Sequence, residues 1–282
     1  MRQLGTVVIA RLTFKEAARR RILIAALLLG VVFLTVYGLG IYFIQQDMMK
    51  RGEHLQRVVA VPIYNFLAQS GLYVVSFLTL ALTVLTSVDT ISGEIDSGSI
   101  QAVAAKPIRR WEILIGKWLG FVGMLTLYLL LMAGGVLVLT RALLGYSVPN
   151  ALRGLALMWI NELILLNVTL LGGTRLSTLA NGVLAFSAYG VAFIGGWIEQ
   201  IGAFLGNQTT VVIGILSSLL MPSEALWKRA AFEMQTALAE AVAPNPFMSF
   251  LSVPSMAMVA YGVFYAAVAL TLAVWSFRRR DL

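Results

Sequence analysis

Residues Ile22 to Ile44 read ILIAALLLGVVFLTVYGLGIYFI, without a single charge, directly after Arg19-Arg20-Arg21. A helix of that length rises roughly 35 Å at 1.5 Å per residue, enough to cross a hydrocarbon core of about 30 Å. The run is too long for a cleavable signal peptide, and no small-residue cleavage site follows before the next polar loop, so it reads as a retained anchor. Working outward, a window near the length of a span finds five more such runs: Ile63 to Val88, Ile113 to Thr140, Arg153 to Gly173, Leu179 to Ile198 and Pro254 to Ser276. The reading is an all-α membrane protein of six transmembrane helices, forming a single transmembrane domain over residues 1–282.

Composition agrees. Apolar residues make up 59% of the 282 positions and charged residues only 12%, too few charges to solvate the exterior of a soluble domain of this size. There are no cysteines and one histidine, His54. Thiol nucleophiles, disulfides and iron–sulfur ligation are thereby excluded, and a His-based triad or multi-His metal site lacks its partners. No catalytic residue and no metal site is expected in this chain.

The +8 formal charge sits at the edges of apolar runs, where lipid headgroups rather than nucleic acid are the natural partner. An even number of spans puts both termini on one side. Fourteen of the 21 Lys and Arg fall on that side and seven on the other, so the positive-inside bias makes the termini cytoplasmic. Of the 13 acids, six lie with each side and Glu162 lies within a span. The expected location is the cell membrane, multi-pass.

Two stretches fall short of a span. Thr209 to Met221 is 13 residues long and ends at Pro222, a good first-turn residue for a new helix. From Ser223 to Ala241, Leu226, Trp227, Ala230, Met234, Leu238 and Ala241 form one stripe, with Glu224, Lys228, Glu233 and Glu240 elsewhere. The expectation is two short helices dipping into the outer leaflet within residues 203–245, ended by Pro244 and Pro246. The alternative, a seventh span, would put the C-terminal triple arginine outside. At the other end, Arg11, Lys15 and Arg19 recur on one face, Glu16 can pair with Arg20, and Leu4, Val7, Val8 and Leu12 supply an apolar side. Residues 1–21 therefore read as an amphipathic helix lying in the cytoplasmic interface.

The polar segment from Ser87 to Glu112 is SVDTISGEIDSGSIQAVAAKPIRRWE. Ser92-Gly93 and Asp96-Ser97-Gly98-Ser99 offer cap and turn sites around short helical pieces, and Lys106-Pro107 forces a further break. An ordered, compact reversal of this kind at residues 89–112 predicts a docking surface.

Here the chain resembles a known family. Gly-Glu-x-x-x-Gly-Ser-Ile at Gly93 to Ile100, followed by Lys-Pro-Ile-x-Arg-Trp-Glu-Ile-Leu-x-Gly-Lys at Lys106 to Lys117, is similar to the cytoplasmic loop of ABC exporter permeases of the type-2 superfamily, near the NosY-like branch. Glu94, Gly98, Pro107, Arg110, Gly116 and Lys117 fall at matching places, whereas Ser99 and Ala102 to Ala105 depart from that pattern. Similar counterparts exist for Arg11 to Arg21, the short turn Gly172 to Thr178, the paired outer helices and the ending Phe277 to Leu282.

The resemblance implies a permease subunit that needs a separate ABC ATPase, two copies of which dock beneath two permease chains. The chain itself contains no Gly-x-x-x-x-Gly-Lys-Ser/Thr loop. No cofactor is expected in it, and ATP and Mg belong to the partner ATPase. Ile91 to Ser99 would form a coupling helix. Glu94, Asp96, Ser97, Gly98, Pro107, Arg109 and Arg110 would contact the ATPase, with Arg109 and Arg110 alternatively holding lipid headgroups. The second permease chain would complete a homodimer or a related heterodimer around a central path.

Glu162 lies about nine residues beyond Arg153, roughly 13 Å along the helix, near mid-bilayer. A buried membrane acid defaults to a functional hypothesis, here the translocation path or gating, against a structural role bonded to a neighbouring span. Asn65, Gln69, Asn167 and Asn181 read as interhelical hydrogen-bonding residues, and the Gly pairs at Gly134, Gly172 and Gly195 as sites of close helix contact. A stand-alone secondary transporter or channel is the competing class, but the halves show no inverted repeat. A membrane enzyme would need clustered His, Cys or acids, and Glu162 stands alone.

Overall fold

The computed structural model describes residues 3–50, 57–98, 109–236 and 251–280. Among them are ten helices: α1 Gln3–Arg19, α2 Arg21–Lys50, α3 Arg57–Ser87, α4 Ser92–Asp96, α5 Arg110–Leu144, α6 Ala151–Gly173, α7 Thr178–Phe204, α8 Gln208–Leu220, α9 Ser223–Glu233 and α10 Met256–Arg278. Six of the described helices are long and apolar enough to cross a membrane, and α8 and α9 form a pair bent by 108°. The all-α, six-span architecture expected from the sequence is therefore present.

α5, α3 and α6 make the centre. Phe121, Met124, Leu125, Tyr128, Leu129, Met132, Ala133 and Val136 put nearly every inward position of α5 into one apolar cluster with Leu72, Val75 and Leu82 of α3 and Leu166 and Leu170 of α6. α2 lies at the periphery: only 11% of its most apolar window is buried, against 61% for the window that includes α3. Its outward Leu28, Val32, Val36 and Phe43 are exposed, as befits a lipid-facing helix.

Lipid is as apolar as leucine, so helices in a bilayer are joined chiefly by close packing and by polar side chains. The four amide residues singled out in the sequence do this. Asn65 Nδ2 donates to Tyr146 Oη at 2.9 Å and to the Met234 carbonyl at 3.1 Å. Gln69 Nε2 donates to the Ala231 carbonyl at 2.9 Å, so α3 satisfies carbonyls that the end of α9 leaves open. Asn167 donates to the Ala266 carbonyl of α10 and accepts from Trp118 Nε1 of α5. Asn181 donates to the carbonyls of Val88 and Thr169, which ties α7 to α3 and α6. Of the glycine pairs, Gly135 lies against Leu34, Gly172 against Asn181, Gly195 against Ser217 and Gly196 against Glu224, while Gly134 has open space beside it.

The short turn from α6 to α7, the end of α10 and the start of α5 meet at the end of the bundle that carries the termini. Thr174 and Arg175 both donate to Ser276 Oγ, and Arg280 donates to the Thr174 carbonyl. At the opposite end α8 folds back along α7. Gly202 admits Thr210 and Gly214 admits Glu199 so closely that a Cβ at either glycine would collide.

Two sequence readings are revised here. Leu226, Trp227 and Ala230 are buried as the stripe of α9 predicts, but so are Glu224 and Lys228, at 6% and 1% exposure. α9 is enclosed on both faces, and its charges are interior groups rather than a solvated side. The fifth span also runs beyond Ile198 to Phe204, which brings Glu199 and Gln200 inside the helix and buries them. Leu238, Glu240, Ala241, Pro244 and Pro246 lie outside the described residues.

Candidate functional site

α3 carries Thr79, Thr83, Thr86 and Ser87, and Thr90 follows in the turn after it, all buried. Each hydroxyl donates to the carbonyl four residues back, so a polar stripe crosses the apolar core with its protons already satisfied. Ser87 Oγ also meets Thr169 Oγ1 at 2.7 Å, and Ser92 Oγ meets Thr178 Oγ1 at 2.8 Å. The chain does not reverse after Ser87. It passes through one turn, held by Thr90 N–H on the Ser87 carbonyl and Gly93 N–H on the Asp89 carbonyl, and continues as α4. Residues 99–108, between α4 and α5, lie outside the described residues.

α4 is anchored by its own acid. Glu94 pairs with Lys117 of α5, and Lys117 Nζ also donates to the Thr90 carbonyl at 3.2 Å. Lys117 is 7% exposed, so this lysine joins the α3–α4 turn to α5. The two halves of the loop motif, Glu-x-x-x-Gly and Gly-Lys, are thus physical partners. Asp89 makes a second anchor: Arg20, between α1 and α2, donates to Asp89 Oδ1 at 2.7 Å and to Glu16 Oε1 at 3.0 Å.

The glycine of Gly-Lys seats α1. A Cβ at Gly116 would lie 2.7 Å from Ile9 Cβ, and one at Gly120 would lie 2.7 Å from Thr13 Cβ and 2.8 Å from the Ala10 carbonyl oxygen. Ala17 and Thr13 are buried in this contact, while Val7, Val8 and Leu12 are exposed. α1 therefore turns Ile9, Thr13 and Ala17 towards α5 and leaves Val7, Val8 and Leu12, interleaved with Arg11, Lys15 and Arg19, on its outward side.

Of the predicted contact residues, Ser97 is exposed and Gly98 half-buried just past α4. Gly98 has φ +69°, a left-handed conformation natural to glycine at a helix end, with open space beside it. Arg109 is exposed, and its backbone N–H donates to Glu112 Oε2 at 3.3 Å as α5 begins. Arg110 turns away from the turn and donates to the Arg280 carbonyl at 2.5 Å, tying the start of α5 to the end of α10. Asp96 ends α4, but its side chain, like Pro107, lies outside the described residues. The arrangement presents a small tip of exposed Ser97 and half-buried Gly98, with two ion pairs bracing the turn before it and α4 itself.

Glu162 is far along α6 from this tip. It is 2% exposed, and neither carboxylate oxygen has a hydrogen-bond partner; Asn161 Oδ1 beside it is likewise unpartnered.

A second polar centre, unforeseen in the sequence, lies at the opposite end. Lys228 of α9 pairs with Glu199 of α7 at 2.5 Å, with both side chains at 4% exposure or less. Ser252 donates to the other oxygen of Glu199, and Gln200 bonds both ways to the 251–252 backbone. Nearby, Glu233 takes Arg229 at 2.5 Å and Arg153 at 3.8 Å. The available sequence signal was Glu199 and Lys228 close to apolar runs; nothing in the spacing paired them. Among the described residues no cluster of His or acids could hold a metal ion.

No curated protein matches this chain. A family model described as ABC-2 family transporter protein matches residues 7–282, which spans α1, the α3–α5 tip and all six membrane helices. The chain belongs to the ABC-2 transporter family, as a multi-pass permease subunit of an ABC transporter.

Proposed function

We propose that this permease is the membrane half of an ATP-driven exporter and that the α4 tip is where a separate ABC ATPase docks. The observation that carries the reading is the tip of exposed Ser97 and half-buried Gly98, with α4 and the turn before it braced by Glu94–Lys117 and Arg20–Asp89. A push on such a tip reaches α5 through Lys117 and the α1–α2 junction through Arg20. A tip free to flex would absorb that push locally.

Within this reading Ser97, Gly98, Asp96, Pro107 and Arg109 meet the ATPase. Glu94 supports the tip from behind through Lys117, and Arg110 is engaged instead at the end of α10. The excess of Lys and Arg at the termini end supports a cytoplasmic position for it, where two ATPase copies, holding ATP and Mg, would work beneath two permease chains. The second permease is a copy of this chain or a relative. The Glu94, Gly98, Arg110 and Gly116-Lys117 matches support a place near the NosY-like branch. Glu162 belongs to gating: an unpartnered carboxylate is an expensive feature to keep in a membrane core, and it gains partners only when the helices around it separate.

The test is co-expression with a candidate ABC ATPase subunit, sought first among neighbouring genes. Ser97→Trp adds bulk to the tip, whereas Gly98→Asn keeps a left-handed residue there. Ser97→Trp is expected to abolish co-purification and permease-stimulated ATP hydrolysis, with Gly98→Asn folding normally and weakening both. Full ATPase stimulation by Ser97→Trp overturns the docking assignment.

A further inference from the structure

At the end opposite the termini, α7, α8, α9, the segment before α10 and the start of α10 line a half-open pocket of about 470 Å³, a volume in the range of ligand clefts. Its walls are mainly apolar, with Leu219, Met258 and Tyr261 among them, and its polar corner is formed by Glu199, Ser218 and Ser252. Leu219 is 44% exposed, so α8 forms a flank open to the surroundings. In the orientation proposed above this flank faces the outer half of the bilayer.

The polar corner offers acceptors. Ser252 gives its proton to Glu199, Ser218 donates to the Gly214 carbonyl at 3.3 Å, and Tyr261 donates to the Leu219 carbonyl at 2.6 Å. The amides of Leu251 and Ser252 are taken by Gln200 Oε1. Glu199 retains capacity, because an ionised carboxylate has about four lone-pair sites and only Lys228 and Ser252 are bonded to it. A ligand here must bring its own donor.

Charge points the same way. Glu199 and Glu224 are both buried beside Lys228; burial pushes the Glu224 carboxyl up to about 7 against the opposing pull of Lys228, so a further cation here would favour its ionised form. The other cation on α9, the half-buried Arg229, is committed to Glu233 and to the Pro254 carbonyl. One positive charge carrying an N–H would complete the cluster.

We propose that this cavity binds an amphiphilic cation: an apolar body against Leu219, Met258 and Tyr261, and a protonated amine on Glu199. The site is separate from the α4 tip and needs no ATPase, so its failure and the failure of the docking assignment are distinguishable.

The full chain in phosphatidylcholine nanodiscs is dialysed to equilibrium against three probes of one shape: 2-(2-naphthyl)ethylamine, 2-(2-naphthyl)ethanol and 2-naphthylacetate. Uptake by empty nanodiscs is subtracted. The amine is expected to saturate at one per chain and to bind at least tenfold tighter than the alcohol or the carboxylate. Met258→Trp, which fills the cavity without touching Glu199, is expected to remove that binding while circular dichroism and gel-filtration profiles stay unchanged. Ser218→Ala, which removes one acceptor and no charge, is expected to weaken the amine several-fold. Equal binding of the three probes, or amine binding unaltered in a folded Met258→Trp protein, overturns the proposal.

Discussion

Glu162 and Glu199 are both acids buried in an apolar bundle, yet their surroundings dictate opposite responses to substitution. Glu199 is bonded to Lys228 and Ser252, whereas the oxygens of Glu162 bond to nothing. Removing one partner of a buried pair strands the other charge and costs about 3–5 kcal/mol, while removing both is close to neutral. Lys228→Met should therefore lower the thermal midpoint in detergent strongly, and Lys228→Met with Glu199→Gln should recover most of the loss. An additive double variant would show that the pair is not coupled. Glu162→Gln keeps shape and loses only an unpartnered acid, so the thermal midpoint should stay or rise. If gating needs the acid, transport with the ATPase should fall in the same variant. A destabilised Glu162→Gln protein with intact transport would make the residue structural.

At the scale of elements, the apolar runs gave the six spans and the short α8 directly, because charges are too costly in lipid to interrupt a crossing helix. The same rule misled at α9 and at the end of α7. Glu224, Lys228 and Glu199 look like solvated groups in a linear reading, but they are buried against one another, a pairing between residues 29 apart that no helical period encodes. α1 was legible as amphipathic through Arg11, Lys15 and Arg19, but its packing face was hidden. Ile9, Thr13 and Ala17 are too small and mixed to read as a stripe, and they matter only because Gly116 and Gly120 lie opposite. The loop motif was recognisable, yet reading Glu94 as a surface charge missed Lys117, its partner on the next long helix. The α1–α5 contact is testable in isolation. Gly120→Val pushes a side chain into Thr13 and the Ala10 backbone, an overpacking that costs about 1–3 kcal/mol. Amide hydrogen exchange in α1 should quicken several-fold, with the middle of α5 unchanged. Gly123→Ala, whose added carbon would sit 3.5 Å from Phe14, should leave α1 protected. Equal protection in both variants would mean that α1 is held by something other than the glycines.

For the whole molecule, the deciding question is which side the α4 tip faces, since an ATPase can reach it only from the cytoplasm. Three features bear on it together. Six crossings would put the tip and both chain ends on one side, the α8–α9 pair is bent by 108° and counts as a seventh crossing only if the two helices form one span, and twice as many Lys and Arg lie at the proposed cytoplasmic end as at the other. Charge bias of this kind sets orientation during insertion because basic loops are retained in the cytoplasm. The absence of cysteine makes the test clean, since each engineered thiol is the only one in the chain. Ser97→Cys sits at the tip, Arg279→Cys just past α10, and Gln208→Cys at the start of α8; the first and last are exposed positions at opposite ends. In intact cells a membrane-impermeant maleimide should label Gln208→Cys alone, and Ser97→Cys and Arg279→Cys should react only after permeabilisation. Labelling of Ser97→Cys in intact cells would place the tip outside and remove the ATPase assignment. Labelling of Arg279→Cys with Ser97→Cys protected would instead mean that α8 and α9 together form a seventh crossing, which would separate the basic C-terminus from the tip that Arg110 and Arg280 now join.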